Sequence, residues 1–171
     1  MKAVMTVLLL VHQMVLVLHI FLGIVWMGGV LFIGWGIYPA ARVLAFNQQR
    51  LFFLSLIKWV HWVFTIAGCG VILTGSLLGI VFGPIRSWET LVNTTYGNQW
   101  LAAFTIGLFT LFWGVFIGYR RAVTTFSNRL LWEQADQGNR RPLRRALLSI
   151  VALEMVEVSG FVAIIFLMVL L

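Results

Sequence analysis

The chain has 171 residues, of which 61% are hydrophobic and only 10% charged, against roughly a quarter charged in soluble domains. A water-soluble fold of this size cannot hide so much apolar surface, and the net charge of +7 is carried beside apolar runs rather than on a polar nucleic-acid-binding domain. The single cysteine, Cys69, lies inside an apolar run and allows no disulfide framework.

Four long apolar runs can be read, at about 7–37, 54–82, 100–118 and 146–171. Each meets the roughly 18 to 20 residues needed to cross a hydrocarbon core. The expected fold is therefore all-α: an integral membrane four-helix bundle, one domain over 1–171, with the lipid bilayer as its first partner. Lys2 followed by apolar residues resembles the opening of a signal peptide, but the run continues far beyond a signal core, so it reads as an uncleaved first helix. Arg42, Arg50 and Lys58 flank the first connection, and Arg120, Arg121, Arg129, Arg140, Arg141, Arg144 and Arg145 crowd the third. Only Lys2 and Arg86 fall on the other side, ten cations against two. The positive-inside rule then places both basic connections in the cytoplasm and both termini outside, as in a multi-pass plasma (inner) membrane protein.

Taken in order, the first helix carries His12, Val15, His19, Gly23, Trp26 and Val30 on one stripe, with Met27-Gly28-Gly29 beside it. Tyr38-Pro39 is expected to end it, followed by a short amphipathic connection over 40–51. The second helix lines up Lys58, His61, Thr65, Gly68, Ile72, Gly75 and Gly79, a small and polar face that belongs inside a bundle. Gly83-Pro84 stops it, and the polar stretch with Trp88, Glu89, Asn93, Tyr96 and Asn98 is placed to cap a site opening outward. The third helix has nothing ionisable between Trp100 and Tyr119 and reads as a packing element. The arginine-rich connection reads as helical extensions joined near Gln137-Gly138-Asn139. The fourth helix carries Glu154 and Glu157 on one face, followed by Gly160. Carboxylates there cost several kcal/mol unless they meet a partner, a proton or water, at roughly +2.5 kcal/mol or more each.

Ionisable groups at membrane depth mark function by default, so His19, His61, Glu157 and Glu154 are the candidate metal ligands, and His19 and His61 the candidate cofactor ligands. At about 1.5 Å of rise per residue, His19 and His61 differ by about 15 Å in depth, which argues against both serving one haem. His12, Trp26, Met27 and Cys69 are secondary candidates. For His12 the simpler assignment is a hydrogen bond to a neighbouring helix near the interface, and for Trp26 and Cys69 it is core packing. Imidazole, thiolate and thioether suit copper, whereas carboxylates suit Cu(II) or protons.

His19 with Trp26-Met27-Gly28-Gly29, the His61 helix with Thr74-Gly75, and the glutamate-bearing last helix together resemble the copper resistance D (CopD-like) membrane domain and its relative, the HemJ-type protoporphyrinogen oxidase. The resemblance implies copper uptake or homeostasis for the CopD-like branch, and haem b binding with porphyrinogen oxidation for the HemJ branch, with His19 as the shared first-helix histidine. The HemJ pattern has a lysine early in the third helix where Gly97-Asn98-Gln99-Trp100-Leu101 stands here, which favours the CopD-like branch. A homo-oligomer, a membrane-complex partner, or a purely accessory role in which the histidines and glutamates only join helices are the remaining alternatives.

Overall fold

The computed structural model describes residues 2–170, with side chains from Val4 onward; Leu171, at the end of the last expected helix, lies outside the described residues. Four helices are long and apolar enough to cross a bilayer: α1 (Val4–Ala41), α2 (Phe46–Phe82), α4 (Thr95–Ser127) and α6 (Arg141–Leu170). Between them lie the short α3 (Trp88–Asn93) and α5 (Arg129–Asp136), and the described residues contain no strand. Helix is the state in which a lipid-facing backbone satisfies its own N–H and C=O groups.

Each long helix exceeds its apolar run, for a local reason. At α1 the backbone continues through Tyr38-Pro39 to Ala41, not ending there as expected. A wide π-helical stretch at Ile33–Ile37 immediately precedes this turn; it relaxes the spacing that would otherwise set the proline ring against the carbonyl four residues earlier. α2 starts at Phe46, where Gln48 accepts from the Ala45 N–H at 3.3 Å and Gln49 donates to the Leu44 carbonyl at 2.7 Å. It stops at Gly83, where Arg86 reaches back to the Ile80 carbonyl at 3.0 Å. Ser87 caps α3 and Thr94 caps α4, accepting from Thr90 N–H at 3.1 Å and Gly97 N–H at 3.0 Å. The turn before α6 is made by Gly138 at φ 102°, a left-handed backbone that glycine adopts without steric cost.

α4 packs along α6, α1 along α2, and α2 along α4. Small residues foreseen on the helix faces are contact points: Gly29 meets Phe64, Gly68 meets Leu111 and Trp26, and Gly79 meets Trp100, while Gly70, which the sequence reading did not single out, meets Leu22. Without a hydrophobic drive between helices in lipid, such close approach supplies the packing. Two apolar clusters result. One lies at the arginine-rich end around Phe53, Phe126, Trp132 and Leu143; the other joins Trp26, Ala67 and Phe161 at mid-bundle. The outer face exposes Trp35, Trp59, Trp62, Ile66 and Leu73, an apolar surface suited to acyl chains.

Candidate functional site

Two groups of polar side chains stand inside the bundle. The larger surrounds a cavity of about 260 Å³ that runs from Trp26 and Glu157 at mid-bundle toward Ala122, Phe126 and Leu147 at the arginine-rich end. Its walls are mostly apolar, and its polar groups are His61 and Thr65 from α2, Tyr38 from α1, Tyr119 from α4, and Glu154 and Glu157 from α6.

Glu157 is 5% exposed. Trp26 lines the same stretch of the cavity and is itself locked edge-on against Phe161, ring centroids 5.0 Å apart. The carboxyl fills the space left by Gly114: a Cβ there would stand 2.7 and 2.8 Å from its two oxygens. One turn on, Gly118 does the same for Glu154, with Oε1 3.3 Å from the Cβ position. These glycines bound the wide π-helical turn Trp113–Gly118, a kind of irregularity that often occurs at functional sites. Trp113 ties the turn to α6 by donating to the Leu153 carbonyl at 3.0 Å. His61 is half-buried and stacks on Tyr119 at 3.7 Å and 19°. The basic side chains make no ion pair with these carboxyls; among the described residues the only ion pair is Arg129 with Glu133.

The smaller group is centred on His19. Its Nδ1 lies 2.8 Å from Thr74 Oγ1, and the Thr74 hydroxyl spends its proton on the Gly70 carbonyl at 2.6 Å. The threonine therefore accepts, Nδ1 carries the imidazole proton, and Nε2 keeps the lone pair. The ring packs over Gly75, its Cε1 3.1 Å from the position of a Cβ there. His19 does not line the cavity, and about 20 Å of α2 separates Thr74 from His61.

The sequence candidates thus divide. His61, Glu154, Glu157 and Trp26 share the cavity, and His19 stands apart on Thr74. His12 stacks on Phe82 at 5.3 Å. Met27 packs beside the Trp26 cluster without lining the cavity, and Cys69 is a free, exposed thiol on the outside of α2. The connection with Trp88, Glu89, Asn93, Tyr96 and Asn98, expected to cap a site, contributes no residue to the cavity. Among the described residues, no three His, Cys, Asp or Glu side chains converge as a ready-made metal centre. Tyr119, Gly114 and Gly118 belong to the site although sequence reading assigned their helix to packing alone. The only signal for the two glycines was their four-residue spacing, which says that something sits close without saying what, and Tyr119 carried no signal of its own.

The fold and the site together define a helical bundle of membrane-spanning type with a carboxylate-bearing interior cavity. Comparisons with protein families, with curated proteins and with solved structures find no match.

Proposed function

We propose that the chain is a CopD-like membrane protein that handles copper as a substrate, in uptake or homeostasis, taking the ion as Cu(II) at Glu154, Glu157 and His61. The observation that carries this reading is that both carboxylates and the His61 imidazole line one cavity within an apolar bundle, as separate donors along it. Oxygen and imidazole donors favour Cu(II) over Cu(I). A donor set short of a closed shell suits an ion that arrives, exchanges its remaining water and leaves, rather than a resident centre. The arginine count supports an orientation with the first and third connections in the cytoplasm and both termini outside, in a plasma (inner) membrane; the cavity then opens inward. Purified protein in copper-loaded vesicles tests the reading. Wild type is expected to move copper and Glu157→Gln to move roughly tenfold less; equal copper movement with protein-free vesicles refutes it.

A haem b protein is the second reading, and one observation favours it: His19 is held through Nδ1 by Thr74 Oγ1 at 2.8 Å, so that its other ring nitrogen would be the one to hold a haem iron. The chain fits this group with one ligand only, since His61 is too distant to be the second. A Soret band in the purified protein that His19→Ala removes would support it; its absence in both oxidation states excludes a retained haem.

A further inference from the structure

The cavity has an open side. α6 packs along α4 rather than along α1, and α1 reaches it at mid-bundle through the edge-on contact of Trp26 with Phe161. At the arginine-rich end the two helices are tied again, where Ala41 and Leu143 belong to one apolar cluster. Between these ties the cavity is lined by Gly34 and Trp35 of α1 and by Val151 and Met155 of α6. All four are exposed, Trp35 at 74%, and a Cβ on Gly34 would meet nothing within 4 Å. Wall residues that are also exposed mark an opening, so a window between α1 and α6 joins the cavity to the surroundings of the bundle. From Ala41 back to Gly34, and from Leu143 on to Val151, the helices rise by about 10 to 12 Å. That depth lies within one leaflet of a hydrocarbon core about 30 Å thick.

Charge decides what fits there. The stripe of α6 that forms the window runs on to its start: Arg144, Val151 and Met155 fall on one line of the helix, at whole numbers of turns from one another. On α1, Arg42 follows the cavity residue Tyr38 by one turn. Both guanidinium groups are exposed, and neither has an ion-pair or hydrogen-bond partner among the described residues. Other arginines at this end are engaged: Arg129 pairs with Glu133, Arg121 donates to Ser149 at 2.8 Å, and Arg140 lies over the Phe46 ring. An apolar slot one leaflet deep, with two uncommitted guanidinium groups at its lip, is complementary to a molecule with a phosphate at one end and a hydrocarbon chain at the other.

We propose that the window between α1 and α6 holds an anionic phospholipid from the leaflet at the arginine-rich end. Its phosphate sits between Arg42 and Arg144, and one acyl chain lies against Gly34, Trp35, Val151 and Met155, where it supplies the wall that no helix provides. The lipid closes the cavity sideways. This reading is independent of the copper one, since it uses neither carboxylate nor His61.

Bromine on an acyl chain quenches an indole that it touches, and the full chain in vesicles of zwitterionic lipid with a minor fraction of brominated lipid tests the site. The signal of Trp35 is the difference between wild type and Trp35→Phe. Brominated phosphatidylglycerol is expected to occupy the window at least about tenfold more readily than brominated phosphatidylcholine, at about fivefold per cation. Arg42→Gln with Arg144→Gln is expected to abolish that preference. Arg120→Gln with Arg129→Gln removes the same charge from the same end, on α4 and α5, and is expected to keep it. Gly34→Leu is expected to weaken quenching by the anionic lipid while the protein stays folded, because its side chain enters open space. Equal quenching by the two lipids, or equal loss in the two arginine pairs, overturns the site and leaves a diffuse basic surface. Disulfide-linked dimers of Val151→Cys in a Cys69→Ser background overturn it too, because a second copy of the chain then covers the window.

Discussion

Glu157 illustrates how one side chain dictates the glycine opposite. Gly114→Ala places a methyl within 2.7 to 2.9 Å of the carboxyl oxygens and Cδ, so the carboxyl or the helix must shift. The expected loss is about 1–3 kcal/mol, and under the copper proposal weaker copper movement goes with it. Gly23→Ala, whose Cβ meets nothing within 4 Å, is expected to gain about 0.5–1 kcal/mol from helix propensity. Thermal unfolding of both variants in the same detergent checks the pair, and equal behaviour would show that the close approach of Gly114 is not a constraint. His19 makes a different prediction. His19→Ala removes one interhelical bond to Thr74, worth about 1 kcal/mol in a membrane bundle, and leaves the cavity intact. It should lower stability slightly without changing the copper movement proposed for Glu154 and Glu157; a loss as large as that of Glu157→Gln would join the two polar groups into one path. Both carboxylates and His61 were legible in the sequence because ionisable residues in apolar runs face the interior.

The helices were legible from hydropathy, since runs near twenty apolar residues admit one solution in lipid. Their ends were less so. The amphipathic ends of α2, α4 and α6 carry arginine, glutamine and asparagine, which lower hydropathy without interrupting the helix, and Pro39 sits in α1 behind a wide turn that sequence does not announce. Pairing of helices was invisible as well: the stack of His61 on Tyr119 depends on the register of α2 against α4, for which no single-chain pattern exists. Indole donors hold that register. Trp113 donates to Leu153 from α4 to α6, and Trp100 donates to the Gly75 carbonyl from α4 to α2 at 3.3 Å. Trp113→Phe keeps the ring and loses the donor. It is expected to cost about 1 kcal/mol and to loosen the turn that carries Gly114 and Gly118, so that copper movement falls further than stability does. Unfolding and vesicle assays on that variant check both halves, and a stable variant with unaltered movement would sever the turn from the site.

At the scale of the whole molecule the charge distribution carries the remaining argument. Arg120, Arg121, Arg129, Arg140, Arg141, Arg144 and Arg145 are all exposed, from the end of α4 through α5 to the start of α6, at the end of the bundle that holds the apolar cluster of Phe53, Phe126 and Trp132. Seven guanidinium groups at one end resist translocation and favour an anionic leaflet, at about 1 kcal/mol per cation near the surface. The opposite connection, with Arg86 alone, offers no comparable hold. Because the cavity extends toward the arginine-rich end, the orientation of the bundle decides from which side the proposed ion would reach or leave the carboxylates. Exposed positions in the two connections report it: in a Cys69→Ser background, Asn93→Cys is expected to react with a membrane-impermeant thiol reagent on intact cells, and Arg140→Cys only after the membrane is opened. The reverse pattern would turn the cavity outward and make Glu154 and Glu157 a point of capture rather than of delivery.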